Sequence, residues 1–256
     1  MTAERFECTL GGRNNSVLLA CVDSHQQEIQ VVAKLRHRVE GLHVLWHEWL
    51  AGALAERLGL RVPERLIVDV DAGFADVLTD SLQQDASACV GHNFGAAYVA
   101  NTTPFVDRVG HLAEGLDVQA AHIASFDALS VNCDRLKHNP NCLITNSSPR
   151  ELIAIDHDMA LQSFYQLIFE VPGWPADILA QHVFRGRFGR RIPLVDFEAR
   201  LAGLGDEFLD ALPATVPPTW VDESTAGKMA TIIRKIKERR KVARSWLSVV
   251  EGWTEQ

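Results

Sequence analysis

The sequence lacks long apolar runs. No stretch of its 256 residues approaches the roughly 18 consecutive apolar residues that a membrane-spanning helix needs. The N-terminus, MTAERFECTLGG, also lacks the apolar core of a signal peptide. We therefore expect a protein that has no membrane partner and is not exported through such a signal.

Cysteine is scarce and unpatterned. The five cysteines are odd in number and form no C-x-x-C pair: they are Cys8, Cys21, Cys89, Cys133 and Cys142. A disulfide framework or a thiolate metal site needs paired or regularly spaced cysteines. The pattern predicts free thiols in a reducing compartment, and so a cytoplasmic protein.

Several common binding motifs are absent. The chain has neither a Walker A motif nor G-x-G-x-x-G, and it shows no internal repeat. Its histidines, among them His37, His43, His47, His111 and His122, have no recurring ligand spacing, so we interpret them as surface or satisfied interior groups. With 47% hydrophobic and 23% charged residues, the chain suits one large domain or two lobes that share a cleft.

Positive charge is concentrated in one segment. Residues 228–244 hold eight basic residues and one acidic residue, which gives this segment a charge of +7. The whole chain has a net charge of −8, so the remaining residues together carry −15. Most apolar positions fit one face of a helix, namely Met229, Ile232, Ile233, Ile236, Val242, Trp246 and Leu247. A solvated basic face is the favoured interpretation. A docking surface for an acidic partner stays open, and nucleic acid is the less expected partner.

The N-terminal part is rich in predicted strands. Residues 7–36 read as a β-meander, residues 43–59 as a helix that ends at Gly59, and residues 65–70 as a further strand. Residues 72–104 are less regular. Within them, NFGAAYVA is expected to form an edge strand or the connection to a second lobe.

The C-terminal part is predicted to be mostly helical. A helical pattern begins near residue 106, a polar loop and hairpin follow within residues 126–161, and helices punctuated by prolines continue to the end. The predicted fold class is α+β with two lobes. Residues 1–104 form the β-rich N-lobe and residues 105–256 the helical C-lobe.

The stretch 126–161 carries the most informative pattern. Asp134 lies in a polar loop, Asn139 follows five residues later, and Asp156 ends the apolar run LIAI. One carboxylate to orient a hydroxyl, with an amide and a second carboxylate for magnesium, is the minimal equipment for phosphoryl transfer. The alternatives are a helix cap or surface ion pair for Asp134 and a structural salt bridge for Asp156.

Two upstream features could hold a nucleotide. Lys34 ends the strand-like run IQVVAK, and Glu48 lies in the following helix, where it could fix the ammonium group. Lys34 could instead extend from a sheet edge into solvent. The loop GGRNNS, with Gly12, Asn15 and Ser16, offers backbone amides to phosphate oxygens, although taken alone it fits a plain hairpin turn.

His157 and Asp158 raise another possibility. They spell the His-Asp dipeptide of metal-dependent phosphohydrolases, which lies in all-helical domains with further histidine ligands upstream. Here the dipeptide follows a strand-like run. We therefore disfavour that interpretation, and substantial strand content would exclude it.

The stretch VNCDRLKHNPNCLI…LIAIDHDMAL resembles the catalytic core of HipA-like kinases, and is most similar to their short, single-domain branch. GGRNNS, VVAKLR, WHEWLAGALAERLGLRVPE and HNFGAAYVA match further motifs of that family in the same order. The resemblance covers about residues 10–165 and implies a protein-kinase-like fold that uses ATP and Mg²⁺.

The resemblance also implies roles for individual residues. Asp134 would orient the substrate hydroxyl, and Asn139 and Asp156 would hold Mg²⁺. The nucleotide would contact Lys34, steadied by Glu48, and the loop with Gly12, Asn15 and Ser16, while Arg135 would brace the catalytic loop. The implied reaction transfers the γ-phosphoryl group to a hydroxyl, expected to be Ser or Thr of an unidentified protein. An inhibitor or operon partner is also conceivable.

Two departures from the family pattern keep alternatives open. Asp158 stands where a small residue is expected, and the nucleotide loop is rich in asparagine. A nucleotide-binding pseudokinase that acts as regulator or scaffold, or a kinase-fold AMP-transferase, would fit the same motifs.

Overall fold

The chain forms two compact units. A computed structural model describes residues 1–106, 110–165 and 179–255. The first unit comprises Met1–Trp49, Pro63–Ala100 and Val216–Val221, and the second comprises Leu50–Val62, Asn101–Thr215 and Asp222–Gln256. The division predicted between residues 104 and 105 stays a prediction.

A closed five-stranded barrel dominates the first unit. Its strands, in the order β1-β2-β3-β5-β4, are β1 (Thr2–Gly11), β2 (Ser16–Val22), β3 (Glu28–Lys34), β4 (Arg65–Val70) and β5 (Gly91–Ala97). The first three form the antiparallel meander that residues 7–36 predict. A parallel pairing of Thr2 with Asp69 joins β1 to β4, and closure leaves few exposed sheet edges.

The barrel interior follows from the alternation of side chains along each strand. Val17, Leu19 and Cys21 on β2 are fully buried, as are Val31 and Ala33 on β3. Helix α2 (Ala72–Leu82) adds an apolar face to this core. Gly95 is required on β5, because a Cβ there would lie 2.7 Å from side-chain carbons of both Val31 and Val68.

The structure corrects the prediction for residues 72–104. They hold helix α2, capped by Asp71, whose side chain accepts a hydrogen bond from the N–H of Phe74 at 2.7 Å. They also hold β5, which pairs with β3 on one side and β4 on the other, so NFGAAYVA is not an edge strand. Glycine and alanine have low strand propensity, so this segment gives a weak strand signal. It forms a strand because it pairs with β3 and β4.

The second unit combines helices with a small sheet. Strands β6 (Thr102–Pro104), β7 (Cys142–Thr145) and β8 (Leu152–Ala154) pair in the order β6-β7-β8. In the described part of this unit the α-helices are α3 (Leu116–Ser130), α4 (Val195–Ala202), α5 (Asp206–Ala211), α6 (Thr225–Lys241) and α7 (Ala243–Glu251). Helix α1 (His43–Arg57) contributes residues to both units. The predicted α+β class is confirmed.

Helix α3 begins later than the sequence pattern indicates. The pattern predicts helix from about residue 106, but α3 starts at Leu116, after Gly115 in a left-handed conformation with φ of 89°. Residues 107–109 lie outside the described part of the chain. Leu112 and Ala113, which precede Gly115, therefore do not extend the helix.

The basic segment forms two helices rather than one. Helix α6 ends at Lys241, and Val242, predicted on the buried face, is 56% exposed, whereas the other predicted apolar positions are buried. Much of the positive charge is paired within the second unit. Lys237 contacts both carboxylate oxygens of Asp210 at 2.7 Å, and Arg239 donates to the carbonyls of Leu129 and Ala128 at the C-terminal end of α3.

All five cysteines are free, as predicted. Among the described residues, no helix is long and apolar enough to cross a membrane.

Candidate functional site

The polar loop of the second unit starts with a sharp change of direction. Val131, the residue after α3, is left-handed with φ of 59° and ψ of 42°, and its N–H donates to the carbonyl of Asp127. A β-branched residue in this conformation costs about 1–3 kcal/mol. The side chain of Val131 is 1% exposed, so its burial contributes to holding the strained turn.

Asp134 is held from one side. Its Oδ2 accepts hydrogen bonds from the side-chain amides of Asn139 at 2.9 Å and Asn141 at 3.1 Å. Its backbone N–H donates to Oδ1 of Asn132 at 3.2 Å. Its second oxygen, Oδ1, accepts no hydrogen bond from the described residues. The carboxylate is therefore fixed in orientation and presents one oxygen for a further donor.

The electrostatic surroundings disfavour a negative charge on Asp134. Burial raises its pKa most, and the charges of Asp156 and Asp158 raise it further, while the hydrogen bonds from Asn139 and Asn141 oppose the shift. Three carboxylates thus lie close enough for two of them to act on the third. A bound cation would relieve this repulsion.

The hairpin of β7 and β8 delivers Asp156 to the loop. The N–H of Ile155 donates to the carbonyl of Asn141 at 3.0 Å, which ties the end of the hairpin to the end of the loop. Asp156 follows in a left-handed conformation with φ of 56°. His157 and Asp158 are buried, and the ring of His157 meets Phe126 edge-on at 5.6 Å between centroids.

The donor set fits a magnesium ion. The amide nitrogen of Asn139 is used by Asp134, while its oxygen accepts no hydrogen bond from the part of the chain that the structure describes. Amide and carboxylate oxygens are ligands that Mg²⁺ prefers, and it commonly takes only one or two protein carboxylates beside phosphates and water. The described residues hold no group of three or more histidine, cysteine, aspartate or glutamate residues that could bind a metal by themselves.

A buried network lies behind the loop. Asp127 of α3 accepts from Nε of Arg135 at 2.6 Å, from the amide of Asn132 at 3.0 Å and contacts Nε2 of His182 at 2.9 Å. Burial alone would raise the pKa of Asp127, but the charge of Arg135 and the contact with His182 outweigh it and lower the pKa to about 2. We call Asp127, Asn132, Arg135 and His182 the Asp127 network.

Arg135 extends the network to the hairpin. Its guanidinium donates to the backbone carbonyl of Asn141 and, at 3.4 Å, to that of Ile155. One fully buried side chain thus ties the loop to the residue that precedes Asp156. Sequence reasoning missed Asp127 and His182. The sequence did contain a signal for Asp127. It is an isolated aspartate in a largely apolar helix, and a buried carboxylate of this kind needs a buried partner.

In the first unit, Lys34 and Glu48 form a buried ion pair. Nζ of Lys34, at the end of β3, lies 2.5 Å from Oε1 of Glu48 in α1. The side chains are 8% and 5% exposed. The structure therefore brings these two predicted residues together, and a buried position makes the pairing necessary for both charges.

The predicted nucleotide loop is a tight turn between β1 and β2. Gly11 pairs with Ser16, the N–H of Asn15 donates to the carbonyl of Gly12 at 3.2 Å, and both glycines are left-handed with φ of 75° and 81°. A Cβ at either glycine would meet nothing within 4 Å. The turn's backbone is therefore open to a ligand on the glycine side.

The phosphohydrolase interpretation does not survive. It requires an all-helical domain, whereas the described residues include a five-stranded barrel and a three-stranded sheet. The dipeptide His157-Asp158 begins three residues after the end of β8 at Ala154.

Comparison with known proteins agrees with the motifs. Residues 21–245 match the family described as HipA-like kinase. The structure is similar to that of the Helicobacter pylori proinflammatory kinase CtkA, with a TM-score of 0.57 and 12% identity over 99% of this chain and 98% of that one. At this identity the likeness shows a kinase-like fold.

A second solved structure, of an apo pseudokinase, aligns over 98% of this chain and 92% of that one at 13% identity, with a TM-score of 0.34. No curated protein matches the sequence. The family match covers most of the chain and includes the polar loop with Asp134 and Asn139, the hairpin of β7 and β8, and the Lys34–Glu48 pair, whereas the turn at residues 11–16 precedes it. This chain therefore belongs to the HipA-like kinase family.

Proposed function

We propose that this protein is an ATP- and Mg²⁺-dependent kinase that transfers the γ-phosphoryl group to a hydroxyl of serine or threonine in a protein. One observation carries the proposal. Asp134 is fixed through Oδ2 by two asparagine amides and presents Oδ1 to a further donor. This is the arrangement that a residue needs if it is to orient a hydroxyl and accept its proton.

The chemistry at Asp134 depends on proton affinity as well as geometry. Its raised pKa makes it a better proton acceptor than an exposed aspartate. The neighbouring amides of Asn139 and Asn141 stay in place when the proton arrives, because each also reaches the backbone carbonyl of Asp134 at 3.4 Å. We propose that Oδ1 receives the proton of the substrate hydroxyl.

Asn139 and Asp156 would hold Mg²⁺. When bound, the ion would supply positive charge that neutralises the phosphates of the nucleotide. The protein's own part is to place an amide oxygen and a carboxylate at the ends of the loop and hairpin that Arg135 ties together. These hydrogen bonds of Arg135 would hold Asn139 and Asp156 at a fixed spacing before the ion binds.

Lys34 would contact the α- and β-phosphates, with Glu48 directing its ammonium group. The 2.5 Å ion pair supports this role, because it fixes a flexible side chain in one direction. Gly12, Asn15 and Ser16 would lie over the phosphates, and the open glycine side of the turn supports that assignment. The two-lobed layout of the family's fold and a reducing, cytoplasmic location for the free thiols belong to the same proposal.

The partners also remain proposals. The substrate is a protein whose recognition would depend on surface shape, and an inhibitor or operon partner would regulate the activity. Segment 228–244 could dock an acidic partner. Since Lys237, Arg240 and Arg244 pair with carboxylates of the second unit, such a partner would have to displace internal contacts.

A pseudokinase is the second candidate. Asp158 favours it, because this buried carboxylate stands where the family pattern has a small residue and raises the pKa of Asp134 through its charge. Extra negative charge near the metal ligands could weaken productive binding of a phosphate-bound cation. A kinase-fold AMP-transferase would use the same residues on a different phosphate.

The test is incubation with ATP labelled at the γ- or the α-phosphate and Mg²⁺, alone and with cell lysate. Wild type is compared with Asp134→Ala and Asp156→Ala. We expect γ-label on protein from wild type only. Transfer of the α-label would instead indicate an AMP-transferase, and ATP binding without transfer of either label would indicate a pseudokinase. Undiminished transfer by Asp156→Ala would refute the site.

A further inference from the structure

Residues 179–188 of the second unit supply no group to the proposed reaction, yet they lie against the catalytic loop. The N–H of Val183 donates to the carbonyl of Arg135 at 3.0 Å. His182 and Leu136 form an isolated antiparallel bridge. The backbone of this segment therefore runs directly beside residues 135 and 136, next to Asp134.

The ring of His182 is fixed at both nitrogens. It is 2% exposed, and the N–H of Phe184 donates to Nδ1 at 3.2 Å. Because Nδ1 accepts, the proton of a neutral ring lies on Nε2, which donates to Oδ2 of Asp127 at 2.9 Å. Burial lowers the pKa of His182 and outweighs the opposite effect of Asp127, which agrees with a neutral ring.

Besides His182, Asp127 binds two other side chains, one that leads to the loop and one that leads to the hairpin. Towards the loop, it holds the amide of Asn132, whose oxygen accepts the N–H of Asp134. Towards the hairpin, it holds Arg135, which donates to the carbonyls of Asn141 and Ile155. Both the residue that orients the hydroxyl and the metal ligand Asp156 are thus attached to Asp127.

Aromatic packing fixes the position from which His182 donates. Its ring lies 5.5 Å from that of Phe184 and 5.3 Å from that of Trp253, measured between centroids. Trp253 is 4% exposed and stacks on Phe188 at 6.0 Å. The His182 ring is therefore positioned by aromatic residues that do not belong to the catalytic loop.

We propose that His182 is a positioning residue that holds the catalytic loop and the metal ligands in their working arrangement through Asp127. The inference rests on the proposed kinase function. It extends the site to the segment 179–188 and, through Trp253, to the C-terminal residues, which none of the catalytic motifs includes.

The test compares two substitutions at this position and keeps a third as a replacement. His182→Leu removes the donor and keeps an apolar filling, whereas His182→Gln keeps an N–H at the end of a side chain of similar reach. We expect His182→Leu to lower kcat about 10–100-fold, the usual effect of losing such a supporting hydrogen bond, and His182→Gln to stay within about fivefold of wild type. If His182→Leu does not fold, His182→Met fills the same space with a more adaptable side chain.

Two readouts separate positioning from a general loss of stability. The affinity for ADP measured without metal should change by less than about threefold, because the lost interaction acts on the loop and the metal ligands rather than on the proposed nucleotide contacts of the first unit. Binding of Mn²⁺ to the protein–ADP complex, followed by electron paramagnetic resonance, should weaken about tenfold, since the metal ligands lose their support.

The matched control is His122→Leu. His122 lies on the same helix as Asp127, is partly buried, contacts the ring of Phe197 and has no hydrogen-bond partner for Nε2 among the described residues. We expect wild-type kcat and Mn²⁺ binding from this variant.

The outcomes separate the two proposals. Equal losses in kcat for His182→Leu and His182→Gln, or wild-type kcat in a folded apolar variant, would overturn the positioning role while the kinase function stands. A wild-type protein that binds Mn²⁺ and ADP but transfers no phosphoryl group would refute the kinase, and the Mn²⁺ affinities would still decide the role of His182. Absence of both activities in wild type would overturn both.

Discussion

The catalytic loop has a buried face, which packs against Asp127 of α3, and an open face, which presents Asp134. The pKa of the aspartate is shifted in opposite directions on these two faces. Asp127 and Asp134 are seven residues apart in the sequence. On the buried face, Arg135 and His182 lower the pKa of Asp127 to about 2. On the open face, burial and the charges of Asp156 and Asp158 raise the pKa of Asp134.

The function of an aspartate in this protein is therefore set by its three-dimensional surroundings and not by the neighbouring sequence. The buried face is electrostatically complete, because a guanidinium, an imidazole and an amide surround one carboxylate. The open face has amides and further carboxylates but no cation among the described contacts of Asp134. It is therefore suited to bind a cation and to accept a proton, whereas the buried face is suited to hold a fixed shape.

The largest effect should come from the open face. Asp134→Ala should lower the rate of phosphoryl transfer about 10²–10⁴-fold, because the hydroxyl loses its proton acceptor. Its free energy of unfolding should change by less than about 1 kcal/mol, since the residue is partly exposed and its charge is unfavourably placed. Radiolabel transfer and urea unfolding measure the two quantities, and a large loss of stability would remove the contrast with Asp127.

The buried face should respond in the opposite way. Asp127→Ala leaves the fully buried guanidinium of Arg135 without its carboxylate and should lower the free energy of unfolding by about 3–5 kcal/mol. Urea unfolding followed by tryptophan fluorescence measures this. A loss below about 1 kcal/mol would mean that solvent or another group replaces the carboxylate easily.

Acid should weaken the buried face selectively. The folded pKa of Asp127, about 2, lies below its ordinary 3.8, so the stabilisation is present above about pH 4 and is lost as pH falls towards 2. Between about pH 5 and about pH 2, wild type should lose about 2 kcal/mol more than Asp127→Asn. Unfolding free energies across this range test it, and parallel curves for the two proteins would contradict it.

The smallest expected difference is in metal affinity, between variants of the two asparagines that bind Asp134. Only Asn139 is proposed to hold the metal, so Asn139→Ala should weaken Mn²⁺ binding to the ADP complex about tenfold, and Asn141→Ala by less than about threefold. Electron paramagnetic resonance measures both. The reverse order would move the metal ligand from Asn139 to Asn141.

The sequence predicted the parts of the site that depend on residues close together in the chain. The spacing of Asp134, Asn139 and Asp156 identified one loop and one hairpin, and the structure has both. Lys34 and Glu48, fourteen residues apart, were paired from their order alone, and they form a buried ion pair. β-Rich runs separated by the turn-prone segments GGRNNS and SHQQ likewise predicted the meander, which the structure has.

Contacts over long sequence separations could not be predicted. His182 lies 55 residues from Asp127, in a segment without a regular pattern, so nothing in the sequence indicated their contact. The position of β5 inside the barrel depends on pairing with β3 and β4, which a glycine- and alanine-rich stretch does not reveal. The pairing of α6 with α5 also came only from the structure, because the two charge sets lie on different helices.

The Asp127 network has a consequence for how this protein can change over time. One carboxylate accepts from Arg135, Asn132 and His182, so each partner's contribution depends on the other two. Substitutions there should show strong epistasis: a change that is harmful alone becomes tolerable once a second member has changed. Such a cluster evolves as a set, and relatives that replace Asp127 should also differ at Arg135 and His182.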